Sequence, residues 1–283
     1  SYIMNIDNSS TRKVIDCFPF YNELDLLKYR METLNEVVDY FVVVEATHTH
    51  SGREKEMFFK DNMDQFDAFK DKIIHVIVDD FQHTYPNLDY NKPGIWDSVG
   101  EQWNNERYQR DSITRGLERV ELCPDDLIIV TDLDEIPDPR TILKCKRGEI
   151  HVDIHRLNMD LYYYNLRNKF TNKWTSGFIM THQKLKEANT TMSFIRTQMP
   201  CHHIDDGGWH LSYFGDSKFI KNKIMGCAHQ ENNCEDVTNI DNIESRVSRG
   251  DDLFNRSDIG LTMVPLSENK YLPINHEKLH KFH

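Results

Sequence analysis

Residues 127–137 read Leu127-Ile128-Ile129-Val130-Thr131-Asp132-Leu133-Asp134-Glu135-Ile136-Pro137, an apolar run that passes directly into a cluster of carboxylates. A short apolar run without polar alternation marks a strand buried on both faces, as in the middle of a parallel α/β sheet. Such sheets bind ligands at the carboxyl ends of their strands, and that is where Asp132 and Asp134 fall. Two-residue spacing on an extended chain points both side chains to one side. Two carboxylates so placed suit a hard divalent cation, Mn²⁺ or Mg²⁺, which in turn holds a diphosphate. The other reading is a helix start, because Pro137 and Asp138 follow at once.

Outward from this stretch the same pattern repeats. Lys13–Phe18 is a short β-rich run ending at Pro19, and a helical pattern follows from Asn22 to Asn35. Asn22 is the expected cap, with Leu24, Leu27, Met31 and Leu34 on one face. Val37–Glu45 and Lys72–Val78 are further strands, and a long helix is expected from about Gly100 to Val120. Strands alternating with helices imply a parallel, doubly wound α/β sheet. After Pro139 the texture changes. Glu149–Arg156, Met159–Leu166 and Lys173–Thr181 alternate like antiparallel strands, while Phe214–Met225 and Val237–Ser248 read as helices. The expected organisation is a polar, frayed end over 1–12 and a single domain over 13–283, with a parallel half (13–139) continued by a mixed α+β half (140–283).

The 283-residue chain carries a net charge of −12, with its basic residues scattered. That argues against nucleic acid or an anionic membrane as partner. An acidic protein that binds a diphosphate needs a metal or a few well-placed arginines. No stretch approaches the roughly 20 apolar residues of a membrane-spanning helix. The six cysteines form no CxxC pair, so free thiols are expected, with a Cys227–Cys234 bridge as the alternative. Sequons at Asn8, Asn189 and Asn255 matter only in a secreted protein.

Several other clusters carry chemistry. The first strand leaves through Asp16 to Glu23, a strand-to-helix turn of the kind that grips a nucleotide base; Glu23 serves equally well as a helix-start carboxylate. Glu45 ends the second strand at the same edge, as a base or ribose acceptor or as the cap of a loop. In the long helix, Arg107 and Arg110 align and Arg115 follows. Arginine forks hold phosphate, but salt bridges with Glu101, Glu106 and Asp111 are the plainer account. Asp205-Asp206-Gly207-Gly208-Trp209-His210-Leu211-Ser212-Tyr213 combines glycines that admit close backbone approach, an indole face for a sugar ring, a metal-ligating or proton-accepting histidine and two general-base candidates. A turn beside a buried tryptophan is the competing reading. His229-Gln230-Glu231 is a third polar cluster.

Taken in order, Ile15–Leu27, Val38–Thr47, Arg107–Asp111, Thr131–Pro137 and Gly208–Ser212 resemble glycosyltransferase family 17, in the manner of its compact microbial or viral members. The resemblance implies a GT-A fold, a UDP-N-acetylglucosamine (UDP-GlcNAc) donor, a glycan acceptor, a divalent metal and inversion to a β-linkage. It assigns 13–139 as the nucleotide-sugar half and 140–283 as the acceptor half. On this basis Asp134 is expected to bind the metal, Asp132 the metal or the ribose, and His210 to be the third ligand, with His229 as substitute. Arg110 and Arg115 would support the donor, Glu23 and Glu45 would read the uridine, and Trp209 would face the acceptor. Asp206 is the expected catalytic base, with Glu135 as alternative. The expected setting is a cytoplasm, the cell's own or a host's, with a Golgi-lumenal ectodomain freed of its anchor as the alternative. Two other classes fit the same carboxylates and aromatics. One is a metal-dependent phosphoester enzyme. The other is an inactive glycan-binding module stacking sugars on Trp209 and Tyr162-Tyr163-Tyr164.

Overall fold

The computed structural model describes residues 12–82, 102–215 and 261–282, together with residues 220, 221, 243, 244 and 246. Its core is a ten-stranded mixed sheet in the order β10-β7-β6-β8-β4-β1-β2-β3, with β9 lying along β6 and carrying β5 on its other side. β1 (Val14–Phe20), β2 (Tyr40–Ala46), β3 (Ile73–Val78) and β4 (Leu127–Val130) are mutually parallel. β8 (Phe178–Thr181) joins β4 antiparallel and carries the sheet to β6 (Ile154–Tyr163), β7 (Asn168–Trp174) and β10 (Leu261–Met263). The residues after 139 therefore extend the same sheet, in the α/β layout expected from the sequence.

Alternation along the central strands explains why their sequences are apolar throughout. Val14 and Phe18 of β1 with Ile129 of β4 face one side, against Leu27, Met31 and Leu34 of α1 (Leu24–Leu34) and Ile142 of α5 (Pro139–Lys146). Ile15 and Cys17 with Ile128 and Val130 face the other, against Ile113 and Leu117 of α4 (Ile113–Leu117). Each strand is thus buried on both faces, by successive residues. β1 has β2 on one side and β4 on the other, while its chain connections lead first one way and then the other. The carboxyl ends of β1 and β4 consequently border the crevice where such sheets bind ligands.

Several local expectations are corrected. The long helix is two, α3 (Gln102–Asp111) and α4, parted at Ser112, whose hydroxyl donates to the Tyr108 carbonyl at 2.7 Å. α1 starts at Leu24, and Asn22 contributes its carbonyl, accepting from Leu24 N at 3.0 Å, rather than a side-chain cap. The two strands expected between 149 and 166 are the single strand β6, and the one expected over 173–181 divides between β7 and β8. Cys17, Cys123, Cys145 and Cys201 are free thiols. Cys227, Cys234 and His229 lie outside the described residues, as do the expected helices over 214–225 and 237–248 apart from a few positions.

The largest correction concerns Asp205–Tyr213. The segment through Ser212 is not a turn but part of β9 (His202–Ser212), which runs parallel to β6, with a bulge between Ile204 and Gly208 where Asp206 is at φ +53°, and antiparallel to β5 (Glu135–Pro137). Its glycines serve the sheet. A Cβ on Gly207 would stand 2.8 Å from the Asn158 backbone, and Gly208, at φ +134°, would place one 2.0 Å from the Ile136 carbonyl oxygen. Gly208→Ala is expected to lower stability by more than 2 kcal/mol, since strain and overlap add. Gly148→Ala shares a positive φ (+77°) but meets nothing within 4 Å, and is expected to cost about 1 kcal/mol. Equal urea midpoints for the two variants would show that β9 does not depend on this close approach.

Candidate active site

The Asp132–Asp134 turn is held from behind by one side chain. Arg30 of α1 is fully buried. Its Nε and Nη2 donate to the two carboxylate oxygens of Asp16 on β1 at 2.9 and 2.6 Å. Nη1 donates to the carbonyls of Asp132, Leu133 and Glu135 at 3.0, 3.1 and 2.7 Å, and Nη2 to the Thr131 hydroxyl at 2.6 Å. The guanidinium lies 4.4 Å from the centre of the Phe18 ring. Every N–H of the fork is used, so a buried charge is paired and fully hydrogen-bonded. β4 ends at Val130 and the chain turns through 132–134 before β5 begins. The two aspartates are therefore aimed by this turn rather than by strand alternation.

They point to different partners within one cleft. Asp132 accepts from Arg110 Nη2 of α3 through Oδ1 and from Arg196 Nη2 of α7 (Met192–Gln198) through Oδ2, both at 2.9 Å. Burial pushes the Asp132 carboxyl up, but Arg196 and then Arg110 override it and hold its pKa at about 2. Arg196 also donates to both oxygens of buried Glu135, at 2.9 Å each. Glu135 accepts in addition from Asp132 N at 2.7 Å and from the Trp174 indole. Burial works against the charge on Arg196, yet Asp132 and Glu135 keep it firmly protonated. Asp134 Oδ1 lies 3.2 Å from His210 Nε2. β9 delivers His210 to this spot by pairing it with Glu135 across the β5–β9 ladder.

The cleft encloses about 300 Å³, at the lower end of small-ligand sites, and is lined by Asp134, His210, Arg110, Glu23 and His50 among others. A carboxylate beside an imidazole is a donor set that Mn²⁺ accepts, and Mg²⁺ less readily. Among the described residues no group of three or more potential ligands is assembled. A cation at Asp134 and His210 would therefore be completed by phosphate oxygens and water, as is usual for ions bound with a diphosphate. Asp132 is the poorer ligand of the two aspartates, because each of its oxygens already accepts from a guanidinium group whose charge opposes a dication there.

The remaining expectations divide. Glu23, Arg110, Asp132, Asp134 and His210 come together at the cleft. Glu45 does not. It is fully buried and accepts from the backbone N–H of Phe59 and Lys60 at 2.8 and 3.1 Å, capping α2 (Phe58–Asp61). Arg115 pairs with Asp80 at the surface, at 3.2 and 3.0 Å. Trp209 is fully buried, its indole donating to the Tyr271 carbonyl at 2.8 Å, and so offers no face to a sugar. Asp206, at φ +53° in a bulge of β9, is not among the residues lining the cleft, and its backbone carbonyl accepts from Thr141 at 2.6 Å. Glu135 has its oxygens filled by Arg196, Trp174 and a backbone N–H, which removes it as a free base. Arg30, Arg196, Trp174, His50 and Gln109 were not assigned from sequence. Arg30 alone left a signal, a charge on the apolar stripe of Leu27, Met31 and Leu34.

Fold and cleft together define an α/β protein with a charged crevice at the switch point of its sheet. The sequence model of Glycosyltransferase family 17 matches residues 5–258, and the chain belongs to that family. It is 30% identical over 174 residues to the beta-1,4-mannosyl-glycoprotein 4-beta-N-acetylglucosaminyltransferases of Rattus norvegicus and Homo sapiens, a match covering 59% of this chain and 30% of theirs. Two solved structures show more distant similarity. The mannosyltransferase PcManGT from Pyrobaculum calidifontis, in complex with GDP-Man and Mn²⁺, has TM-score 0.43 and 10% identity, over 80% of this chain and 64% of its own. S. aureus TarS has TM-score 0.40 and 12% identity, over 83% and 73%.

Replacing Arg30 by Met removes the partner of a buried carboxylate and frees the turn. The expected loss in urea unfolding is about 3–5 kcal/mol. A loss under 1 kcal/mol would mean that the turn is held by something else.

Proposed function

We propose that the chain transfers N-acetylglucosamine from UDP-N-acetylglucosamine to a hydroxyl of a glycan acceptor, inverting the anomeric centre. The observation that carries this reading is the placement of Asp134 and His210 beside the Asp132–Arg110–Arg196 cluster at the switch-point cleft of a family 17 chain. The acetylglucosaminyltransferase relatives support the donor. Asp134 and His210 would hold the ion, Mn²⁺ or Mg²⁺; the chemistry it supplies is charge neutralisation at the departing diphosphate. Arg110 and Arg196 are fixed as permanent cations at the same wall and add to that field. Asp132 restrains both guanidinium groups, so its part is positioning. Glu23, at the β1–α1 turn, lines the nucleoside end. Trp174, whose ring centre lies 4.6 Å from that of His210, and Tyr213 line the cleft from the carboxyl-terminal half and would give the acceptor its aromatic surface in place of Trp209. Among the described residues no helix is long and apolar enough to cross a membrane.

Release of UDP from UDP-GlcNAc, measured with Mn²⁺ and with EDTA, tests the reading. Wild type is expected to release UDP only with the metal, and Asp134→Ala to fall at least a hundredfold. Metal-independent release, or an active Asp134→Ala, would overturn the assignment of Asp134. Asp206→Asn is expected to keep transfer within about twofold of wild type. A collapse of its kcat with unchanged donor binding would restore Asp206 as the base.

A further inference from the structure

His50 follows β2 and lines the cleft. Its seat is built by α3. Gln109 Nε2 donates to the carbonyls of Val44 on β2 and Phe20 on β1, at 2.9 and 3.3 Å. Those two acceptors fix the orientation of the amide, so Gln109 Oε1 is the atom that meets His50 Nε2, at 2.7 Å. An amide oxygen only accepts, and His50 Nε2 therefore carries the ring proton. Asn105 Nδ2 donates to the His50 carbonyl at 3.1 Å and fixes the backbone as well. Burial lowers the His50 pKa, so the ring is neutral in ordinary buffers. Nδ1 is left as a lone-pair acceptor, and no protein group among the described residues donates to it.

The position of that acceptor is informative. Gln109 bridges β1 and β2, which places His50 above the boundary of those strands. The Asp132–Asp134 turn follows β4, on the other side of β1. The separation is one to two strand spacings, on the order of 5–10 Å, comparable with the span from a diphosphate to the edge of its base. An oriented neutral acceptor there suits an N–H donor flanked by carbonyls. Ribose hydroxyls, which donate and accept, would not need a fixed tautomer.

Resting on the donor reading above, we propose that His50 selects the nucleobase, its Nδ1 accepting a hydrogen bond from the imide N3–H of uracil. Gln109 is the positioning residue that sets the tautomer. Cytosine, whose N3 is itself an acceptor, would oppose one lone pair with another.

The test is nucleotide binding by calorimetry with Mn²⁺ present, using UDP, CDP, N3-methyl-UDP and 2′-deoxy-UDP. Wild type is expected to bind UDP about tenfold or more tightly than CDP or N3-methyl-UDP, the cost of an unmade or opposed buried hydrogen bond. His50→Ala is expected to weaken UDP to the level of N3-methyl-UDP while leaving N3-methyl-UDP little changed, which also reports an intact cleft. The wild-type comparison stands even without a folded variant. Equal binding of UDP and N3-methyl-UDP by wild type would overturn the proposal while leaving the donor reading intact. So would a discrimination that survives in His50→Ala, or a loss that tracks the 2′-hydroxyl. Failure of every uridine nucleotide to bind would instead remove the donor reading, and this proposal with it.

Discussion

Everything at the cleft is referenced to the buried guanidinium of Arg30. It joins α1, the end of β1 and the turn after β4, three segments that meet only in the folded state. A neutral side chain there would strip the Asp16 carboxylate of its guanidinium and the Leu133 and Glu135 carbonyls of a donor, and leave the Asp132 carbonyl with the Glu135 N–H alone. In a low-dielectric interior each such omission is costly. The arrangement is therefore all-or-none. The ion pair is tolerable in the core because every donor is used, and the turn has one conformation because it supplies those acceptors.

The second layer of the site fixes its charges in place. Arg110 and Arg196 flank a single carboxylate, Asp132, and Glu106 and Glu135 each accept from one of those arginines. The guanidinium groups keep their charge and lose their freedom. With three carboxylates to two guanidinium groups the cluster is preorganised but carries no excess of positive charge, and in a chain of net charge −12 an anion held there would need an added cation.

Much of this was legible in the sequence, for identifiable reasons. Apolar runs gave β1, β2 and β4 because two-sided burial leaves no room for alternation. The carboxylates after β4 fell at the ligand edge because the edge is fixed by strand direction. What failed was local reading of side chains whose partners are remote. Glu45 and Arg115 looked alike as charged residues near the edge, yet one caps α2 and the other pairs with Asp80. Trp209 and its glycines looked like a loop because glycine pairs usually mark turns; here they admit the neighbouring strand's backbone. Arg196 had no local signature, since its significance comes from α7 packing against α3, far from Asp132 in the chain. His50 depended on the orientation of one glutamine amide, which no spacing encodes.

The pairing of β5 with β9 also governs when the site comes into being. Glu135 and His210 are register partners, separated by a long stretch of chain that includes β6, β7 and β8. Pairings so distant in sequence form late, because loop-closure entropy opposes them until intervening structure is in place. During synthesis the parallel strands emerge while Asp134 still lacks its imidazole neighbour. The scaffold of the cleft is thus made before its Asp134–His210 pair, which is completed with the strand that ends at Ser212.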